Sequence, residues 1–328
     1  MTLPTPLQSL RLPVIGSPMF IASNPALVTA QCKAGLVGSF PALNARPQEK
    51  LADWLDEITE TLAAHDAGDP PYPAAPFAVN QIVHKSNTRL EHDMRVCIDR
   101  KVPIIISSLR APNEIIDEIH GYGGLVFHDV INIRHAQKAL EAGVDGLILV
   151  CAGAGGHAGT LSPFALLGEV RRIFDGPVVL AGAIGSGSAI LAAQAMGADL
   201  AYVGTPWLAT REANTPEGYR QALVEAKAKD IVYTDYFTGV HGNYLRSSIE
   251  AAGLDPEEVQ KAGPGSMDFG KADDGDGPKA WKDIWSAGQG VGLIDRVEGA
   301  ADVADRLARE YTEAMENLQA KVKGLATA

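Results

Sequence analysis

A histidine stands in a loop that is almost free of side chains. The loop reads Cys151-Ala-Gly-Ala-Gly-Gly-His157-Ala-Gly159 and follows the apolar stretch 146–150. Glycine has no Cβ atom, so backbone N–H groups and a flat ligand can approach each other closely there. Because imidazole exchanges protons near neutral pH, we predict that His157 is a catalytic acid or base. The alternative is a flexible turn that exposes a histidine to solvent.

Short apolar runs alternate with amphipathic stretches over most of the chain. The runs predict strands at residues 13–17, 36–40, 77–80, 102–107, 124–128, 146–150, 177–181 and 200–204. Helical patterns lie between them at residues 51–64, 89–100, 113–120, 134–142, 163–174 and 188–196. Continuous apolar strands are typical of a parallel sheet that is covered on both faces. The alternation predicts an α/β fold, a (β/α)8 TIM barrel, with a doubly wound open sheet as the alternative.

Two parts of the chain depart from this alternation. We expect residues 230–292, after the eighth predicted strand, to form an inserted lid that contributes to the substrate pocket. Within it, the glycine- and acid-rich stretch 268–282 predicts a mobile surface segment. Residues 1–229 and 293–328 then form the barrel, and the amphipathic tail 297–322 predicts a closing C-terminal helix.

The composition restricts the class of protein. The chain has 28 basic and 40 acidic residues, a net charge of −12 and no basic run, which argues against nucleic acid or an anionic membrane as a partner. Its three scattered cysteines fit a reducing compartment, and its first residues show no secretory pattern, so we expect a cytoplasmic protein. The sequence is also compatible with a homodimer.

The residues that follow the predicted strands are small or polar, and a barrel of this kind gathers its chemistry at those positions. They include no lysine for a Schiff base and no pair of glutamates for glycoside hydrolysis. His128 and Asp129 could begin a metal site, but no further ligand accompanies them, so we expect no metal.

Glycine-rich turns follow the seventh and eighth predicted strands, at residues 181–187 and 204–207. That corner of a barrel often binds a phosphate group through backbone amides, although two ordinary turns would look the same. Neither glycine-rich loop carries the dinucleotide fingerprint. A phosphate corner beside an uncharged barrel mouth suits flavin mononucleotide (FMN), whose ring would lie across the mouth.

Five sequence pieces occur in a recognisable order. They are Pro18-Met19, Asn80, the loop that ends in His157-Ala-Gly159, Ala181-Gly-Ala-Ile with the later Gly204-Thr205, and Ser286-Ala-Gly-Gln289-Gly-Val-Gly292. Over residues 13–292 the chain thereby resembles the nitronate monooxygenase family, formerly called 2-nitropropane dioxygenases. Relatives in that family include flavin-dependent enoyl-acyl-carrier-protein reductases and NADH:quinone reductases.

The resemblance implies roles for residues of this chain. The FMN phosphate would be held by Gly182, Ala183, Gly204 and Thr205, and His157 would be the catalytic histidine that stands over the flavin. Met19, Asn80 and Gln289 would lie along the ring and the ribityl chain. Cofactor contacts are also expected from the neighbouring residues Pro18, Phe20, Ala152, Gly153 and Gly156.

This sequence departs from the family pattern at two positions. Many members carry a lysine directly after a histidine at the end of strand five, whereas here the pair reads His128-Asp129. The family's usual Glu-Ala-Gly-Gly-His appears with Gly153 in place of the glutamate. The first departure changes the charge that surrounds the flavin.

A late group of residues predicts part of the substrate pocket. His241, Tyr244 and Arg246 lie in the inserted segment, and Tyr244 or Arg246 could meet an anionic group of the substrate. We expect His128 in the same pocket. The alternative for the late residues is packing between the insertion and the barrel.

The leading prediction is FMN-dependent oxidation of alkyl nitronates by O2 to carbonyl compounds and nitrite. His157 would remove the α-proton of a neutral nitroalkane. One alternative keeps the fold and the flavin but makes the protein an NAD(P)H-dependent reductase of quinones or enoyl thioesters. Another is a flavin-free barrel, either a lyase or a binding protein without turnover.

Overall fold

The computed structural model describes residues 3–110, 115–265 and 282–326. The strands among these residues are β1 (Val14–Gly16), β2 (Gly38–Pro41), β3 (Phe77–Ile82), β4 (Ile104–Ser108), β5 (Leu125–Val130), β6 (Gly146–Val150), β7 (Gly156–His157), β8 (Val178–Ala181), β9 (Leu200–Val203), β10 (Ile231–Thr234) and β11 (Gly242–Leu245).

Eight of these strands close into a parallel barrel. Their order in the sheet is β1-β9-β8-β6-β5-β4-β3-β2, and hydrogen bonds between β1 and Val37 join the two ends. Gly16 N donates to Val37 O at 2.7 Å, and Val37 N donates to Val14 O at 3.1 Å. All eight predicted strands occur, so the prediction of a (β/α)8 barrel is confirmed and the open sheet is wrong.

Helices connect the strands around the barrel. They are α1 (Pro25–Lys33), α2 (Lys50–Ala67), α3 (Leu90–Asp99), α4 (Ile116–Gly121), α5 (Ile133–Glu141), α6 (Pro163–Val170), α7 (Gly187–Ala195), α8 (Thr205–Leu208), α9 (Glu217–Glu225), α10 (Arg246–Ala251), α11 (Pro256–Lys261) and α12 (Ala300–Ala326). Short 3-10 helices occur at Thr5–Leu7, Ala42–Asn44, Ala228–Asp230 and Gln289–Leu293. None of these described helices combines the length and the apolar character that crossing a membrane requires.

The sequence prediction missed α1 and shifted some helix ends. Asn24 caps α1, because its side-chain oxygen accepts a hydrogen bond from Leu27 N at 2.9 Å, and Pro25 occupies the first helical position. The helix predicted at 113–120 begins at Ile116, and residues 111–114 lie outside the described ranges. The tail forms α12 as expected, and it packs against α7 and α1.

Alternate residues of each barrel strand enter two different apolar layers. In β5, Phe127 packs in the barrel interior, whereas Val126 and Val130 pack between the barrel and its helices. The period of two residues in a strand causes this division, since successive side chains point to opposite faces. The same alternation determines which polar residue at the end of a strand faces the barrel mouth.

The insertion after the barrel forms a second, antiparallel sheet. Its strands lie in the order β10-β11-β7, so the insertion pairs with the short strand that contains His157. In the register, Gly242 lies opposite His157 and Asn243 opposite Gly156. Of the stretch 268–282 that the sequence predicts to be mobile, all but Lys282 lies outside the described residues.

Candidate active site

A cavity of about 360 Å³ opens at the carboxyl ends of the barrel strands. Most of the predicted cofactor residues line it, together with His157. Those that do are Pro18, Met19, Phe20, Asn80, Gly153, Gly156, Gly182, Ala183, Gly204 and Thr205. The fold therefore brings these dispersed sequence pieces to one place.

The loop that carries His157 is held by the insertion. Ala158 N donates to His241 O at 3.1 Å, and Asn243 Nδ2 donates to Ala154 O at 2.6 Å. Tyr233 OH adds a third bond, donating to Ala158 O at 2.8 Å. With backbone pairing on one side and side-chain donors on the other, the glycine-rich loop has a defined conformation and is not a freely flexible turn.

The imidazole of His157 is half-buried and oriented by a threonine. Its Nε2 lies 3.2 Å from Thr238 Oγ1, and Thr238 Oγ1 donates its own proton to Val240 O at 2.9 Å. When Thr238 donates to Val240 O, its oxygen is the acceptor for Nε2–H, and in that tautomer Nδ1 is the basic nitrogen of the neutral ring. Burial lowers the pKa of His157 to about 4, so the ring is neutral at pH 7 and can accept a proton.

The segment around Gly288 closes the cavity against the histidine loop. Gln289 N donates to Gly153 O at 2.9 Å, and Gly288 N donates to Thr205 Oγ1 at 2.9 Å. A Cβ atom on Gly288 would lie 2.7 Å from Gly153 O, and one on Gly155 would lie 2.8 Å from Gly288 N. Only glycine permits this approach, and as a result the backbone itself forms this part of the cavity lining.

A chain of hydrogen bonds runs across the ends of β3, β4 and β5. Asn80 Nδ2 donates to Ser108 Oγ at 2.7 Å and to Ile106 O at 3.1 Å. Ser108 Oγ in turn donates to Asp129 Oδ2 at 2.6 Å. Burial raises the pKa of Asp129 to about 7, and the bond from Ser108 partly opposes that rise.

Two of the predicted cofactor residues stand behind the cavity lining. Ala152 is half-buried, and its carbonyl oxygen lies 2.9 Å from the position that a Cβ atom on Gly182 would take. The side chain of Gln289 is exposed, although its neighbours Gly288 and Gly290 line the cavity. Both residues position the lining through their backbone.

The four residues predicted for the substrate pocket lie outside the lining. His128 is buried with Ser107 Oγ 2.8 Å from its Nδ1, and Tyr244 is fully buried against Phe237, with ring centroids 5.0 Å apart. Arg246 pairs with Glu257 at 2.8 Å, and the ring of His241 stacks on Tyr233. In the described structure, packing and surface ion pairs occupy these four side chains, and a role of the four residues in the substrate pocket stays a prediction.

The sequence analysis gave Ser108 and Tyr202 no role and treated Asp129 only as a departure from the family pattern, yet all three line the cavity. Strand parity could have found them. Ser108 shares a face with Ile104 and Ile106, and Asp129 shares a face with Phe127, so both point into the barrel at its mouth. His128 has the opposite parity and therefore points toward the helices.

Comparison with known proteins relates this chain to one family. The sequence model of the nitronate monooxygenase family matches residues 3–310. A nitronate monooxygenase of Paraburkholderia phytofirmans is 29% identical, over an alignment that covers 96% of each chain. A (3aS,4S,5R,7aS)-5-hydroxy-7a-methyl-1-oxo-octahydro-1H-indene-4-carboxyl-CoA dehydrogenase of Rhodococcus jostii is 25% identical over 75% of this chain and 65% of the relative.

Two solved structures share the fold of this chain. FabK from Thermotoga maritima superposes with a TM-score of 0.75 at 24% identity, over 96% of this chain and 97% of its own. A nitroalkane oxidase from Streptomyces ansochromogenes has a TM-score of 0.70 at 24% identity, over 94% and 97%. The family match over most of the sequence is decisive: the chain belongs to the nitronate monooxygenase family and is an oxidoreductase.

Proposed function

We propose that this protein uses FMN to oxidise alkyl nitronates with O2, which yields a carbonyl compound and nitrite. The observation that supports the proposal best is the position of His157. Its neutral imidazole lines a cavity whose wall is formed by backbone, small residues and apolar side chains, with a few polar groups such as Asn80 and Asp129. Such a cavity offers a basic imidazole beside a surface that suits a flat ligand.

The residues at the barrel corner fit the phosphate end of FMN. Gly182 and Ala183 follow β8 with φ angles of +137° and +56°, and Gly204 and Thr205 follow β9. A Cβ atom on Gly204 would come within 3.3 Å of Ser17 Cβ, so the glycine keeps this corner open. Family membership implies a flavin, and this phosphate-sized corner without a dinucleotide fingerprint favours FMN over a larger dinucleotide.

When bound, the flavin would supply the redox chemistry, accepting an electron from the nitronate before O2 completes the reaction. The protein's part is to bind, orient and exchange a proton. Thr238 fixes the imidazole so that Nδ1 of His157 can take the α-proton of a neutral nitroalkane. Apolar lining residues such as Leu43, Ile82 and Ile131 would contact the alkyl chain of the substrate.

Anaerobic mixing of the FMN-loaded protein tests the proposal. We expect a nitronate such as propyl-2-nitronate to bleach the flavin absorbance, and we expect NADH to leave it oxidised over the same time. Re-admission of O2 should then restore the absorbance and release nitrite.

The reverse result would favour the reductase alternative. Rapid bleaching by NADH, with no response to nitronates, would contradict the proposed oxidation. A protein that stays colourless after incubation with FMN would contradict both flavin-dependent functions.

A further inference from the structure

A carboxylic acid, Asp129, lines the described part of the cavity. Among the described lining residues, Asp129 is the only aspartate or glutamate, and lysine and arginine do not occur. Its strand, β5, is separated from β8 in the sheet by β6 alone. A charge on Asp129 would act on whatever occupies the cavity, with no opposite charge among the described lining residues to balance it.

The hydrogen bonds of Asp129 satisfy only one of its oxygens. Oδ2 accepts from Ser108, whereas Oδ1 is inaccessible to water and has no hydrogen-bond partner among the described residues. The hydroxyl of Tyr202 on β9 is in the same condition, and its side chain is 9% exposed. An ionised carboxylate normally accepts several hydrogen bonds, so this environment supports the neutral acid better than the anion.

The other titratable groups near Asp129 do not compensate its charge. His128, next in β5, points to the opposite face and bonds Ser107, while His135 of α5 and His157 of β7 line the cavity. Burial lowers the pKa of all three histidines, to about 4 for His128 and His157. The phenol of Tyr202 faces Asp129 from β9, and burial raises its pKa well above the ordinary value. All of these groups are neutral at pH 7.

We propose that Asp129 selects the charge of the molecule in the cavity: it admits an anion while its carboxyl is protonated and repels an anion once it is ionised. The inference rests on the proposed function, because it concerns the pocket above the flavin. It adds that the affinity of this site for a nitronate or another small anion falls as the pH rises through the titration of Asp129. A neutral ligand would show no such fall.

The test uses sulfite, a small anion that adds reversibly to oxidised flavins and bleaches their absorbance. Sulfite dissociation constants are measured from pH 6 to pH 9 for the FMN-loaded wild type and for Asp129→Asn, which keeps the shape and removes the charge. The ratio of the two constants cancels the titration of sulfite itself. We expect a ratio near one at pH 6, rising to about tenfold weaker binding by the wild type at pH 9.

A second variant tests the inference even if Asp129→Asn does not fold. Ser108→Ala leaves the acid but removes the hydrogen bond that favours its ionised form, so the fall in sulfite affinity should move to higher pH. The matched control is Asp117→Asn, which removes one exposed carboxylate from α4 and should reproduce the wild-type profile.

The outcomes separate this inference from the proposed function. A ratio that stays constant over the pH range, with FMN bound, would overturn the role of Asp129 and leave nitronate oxidation standing. An unmoved profile in Ser108→Ala would also overturn it. Failure of the wild type to bind FMN would overturn both.

Discussion

The cavity has one wall formed mainly by backbone and another formed by polar side chains. A backbone wall, formed by Gly153, Gly182, Gly204 and Gly288, lies at the ends of β8 and β9 and along the facing loops. A side-chain wall, formed by Asn80, Ser108, Asp129 and His157, lies at the ends of β3, β4 and β5 and on the short strand β7. Backbone amides give shape and donors that few substitutions can change, whereas side chains set charge and proton exchange. Under the proposed function, the backbone wall would determine whether the cofactor fits, and the side-chain wall would determine the chemistry that the site performs.

The largest expected effect comes from removing the base of the side-chain wall. His157→Ala should retain FMN and lose about 10²- to 10⁴-fold of its turnover on a neutral nitroalkane, the usual contribution of general acid–base assistance. Steady-state oxygen uptake measures the loss. The preformed nitronate is the internal control, because its α-proton is already gone and its oxidation should survive. Full activity on the nitroalkane would assign His157 the wrong role.

Filling the backbone wall should weaken cofactor binding. In Gly204→Val, the Cβ atom fits with a small shift of Ser17, but the two methyl groups enter the corner proposed for the phosphate. We expect FMN affinity to fall about a hundredfold, which corresponds to an overpacking cost of about 3 kcal/mol. Quenching of FMN fluorescence during titration measures this affinity.

The control for that variant is Gly168→Ala in α6, where a Cβ atom would meet nothing within 4 Å. Its FMN affinity should equal that of the wild type, and its free energy of unfolding should rise by about 0.5–1 kcal/mol. Unchanged FMN affinity in Gly204→Val would place the phosphate elsewhere.

The buried histidine beneath the side-chain wall predicts a dependence of stability on pH. The pKa of His128 is about 4 in the folded protein, below its ordinary value of 6.5, so the unfolded chain binds the extra proton first. The stability that this neutral histidine supports is complete above pH 6.5 and is lost as the pH falls toward 4, by at most about 1.4 kcal/mol per pH unit. Asp129, with its raised pKa, contributes in the opposite sense.

Comparison of the wild type with His128→Gln isolates the histidine, because both proteins keep Asp129. The free energy of unfolding is measured with urea at several pH values. As the pH falls from 6.5 to 4, the wild type should lose more of this free energy than His128→Gln does. Parallel pH profiles for the two proteins would contradict the buried, neutral state of His128.

The smallest effect is expected outside both walls. Arg246 pairs with Glu257 and lies 4.0 Å from Glu250, with its side chain 33% exposed. Arg246→Ala should lower the free energy of unfolding by less than about 1 kcal/mol, the usual range for such pairs. Its KM for a nitronate should equal that of the wild type. A KM that rises several-fold would return Arg246 to the substrate pocket.

The barrel was predictable because its signals are local and repeated. Each strand is a short apolar run, and each helix is amphipathic, so eight repetitions determine the fold class even where single boundaries shift. The glycine-rich pieces were predictable for a related reason, since strand ends of a barrel meet at one mouth. Helix α1 was missed although Asn24 and Pro25 supply an N-cap and a first-turn proline.

Whether a site residue could be predicted depended on its sequence context. His157 and the glycines were predicted because their sequence context is unusual, whereas Ser108 and Tyr202 stand in ordinary apolar strands. Strand parity distinguishes Asp129 from His128, but parity becomes informative only when the barrel interior has been identified. Arg246 and Tyr244 were assigned to the pocket from their residue types, whereas an ion pair and ring packing within the insertion gave them other partners.

By itself, the sequence determined the alternation of strands and helices, the glycine corner and the candidate base, because these depend on neighbours a few residues away. Only the tertiary structure decided which polar side chains face the cavity and which groups are buried without a partner. Those properties arise from contacts between segments far apart in the chain, such as Thr238 with His157 and Ser108 with Asp129. Burial and long-range hydrogen bonds set the charge of a group, and neither is encoded in its immediate sequence.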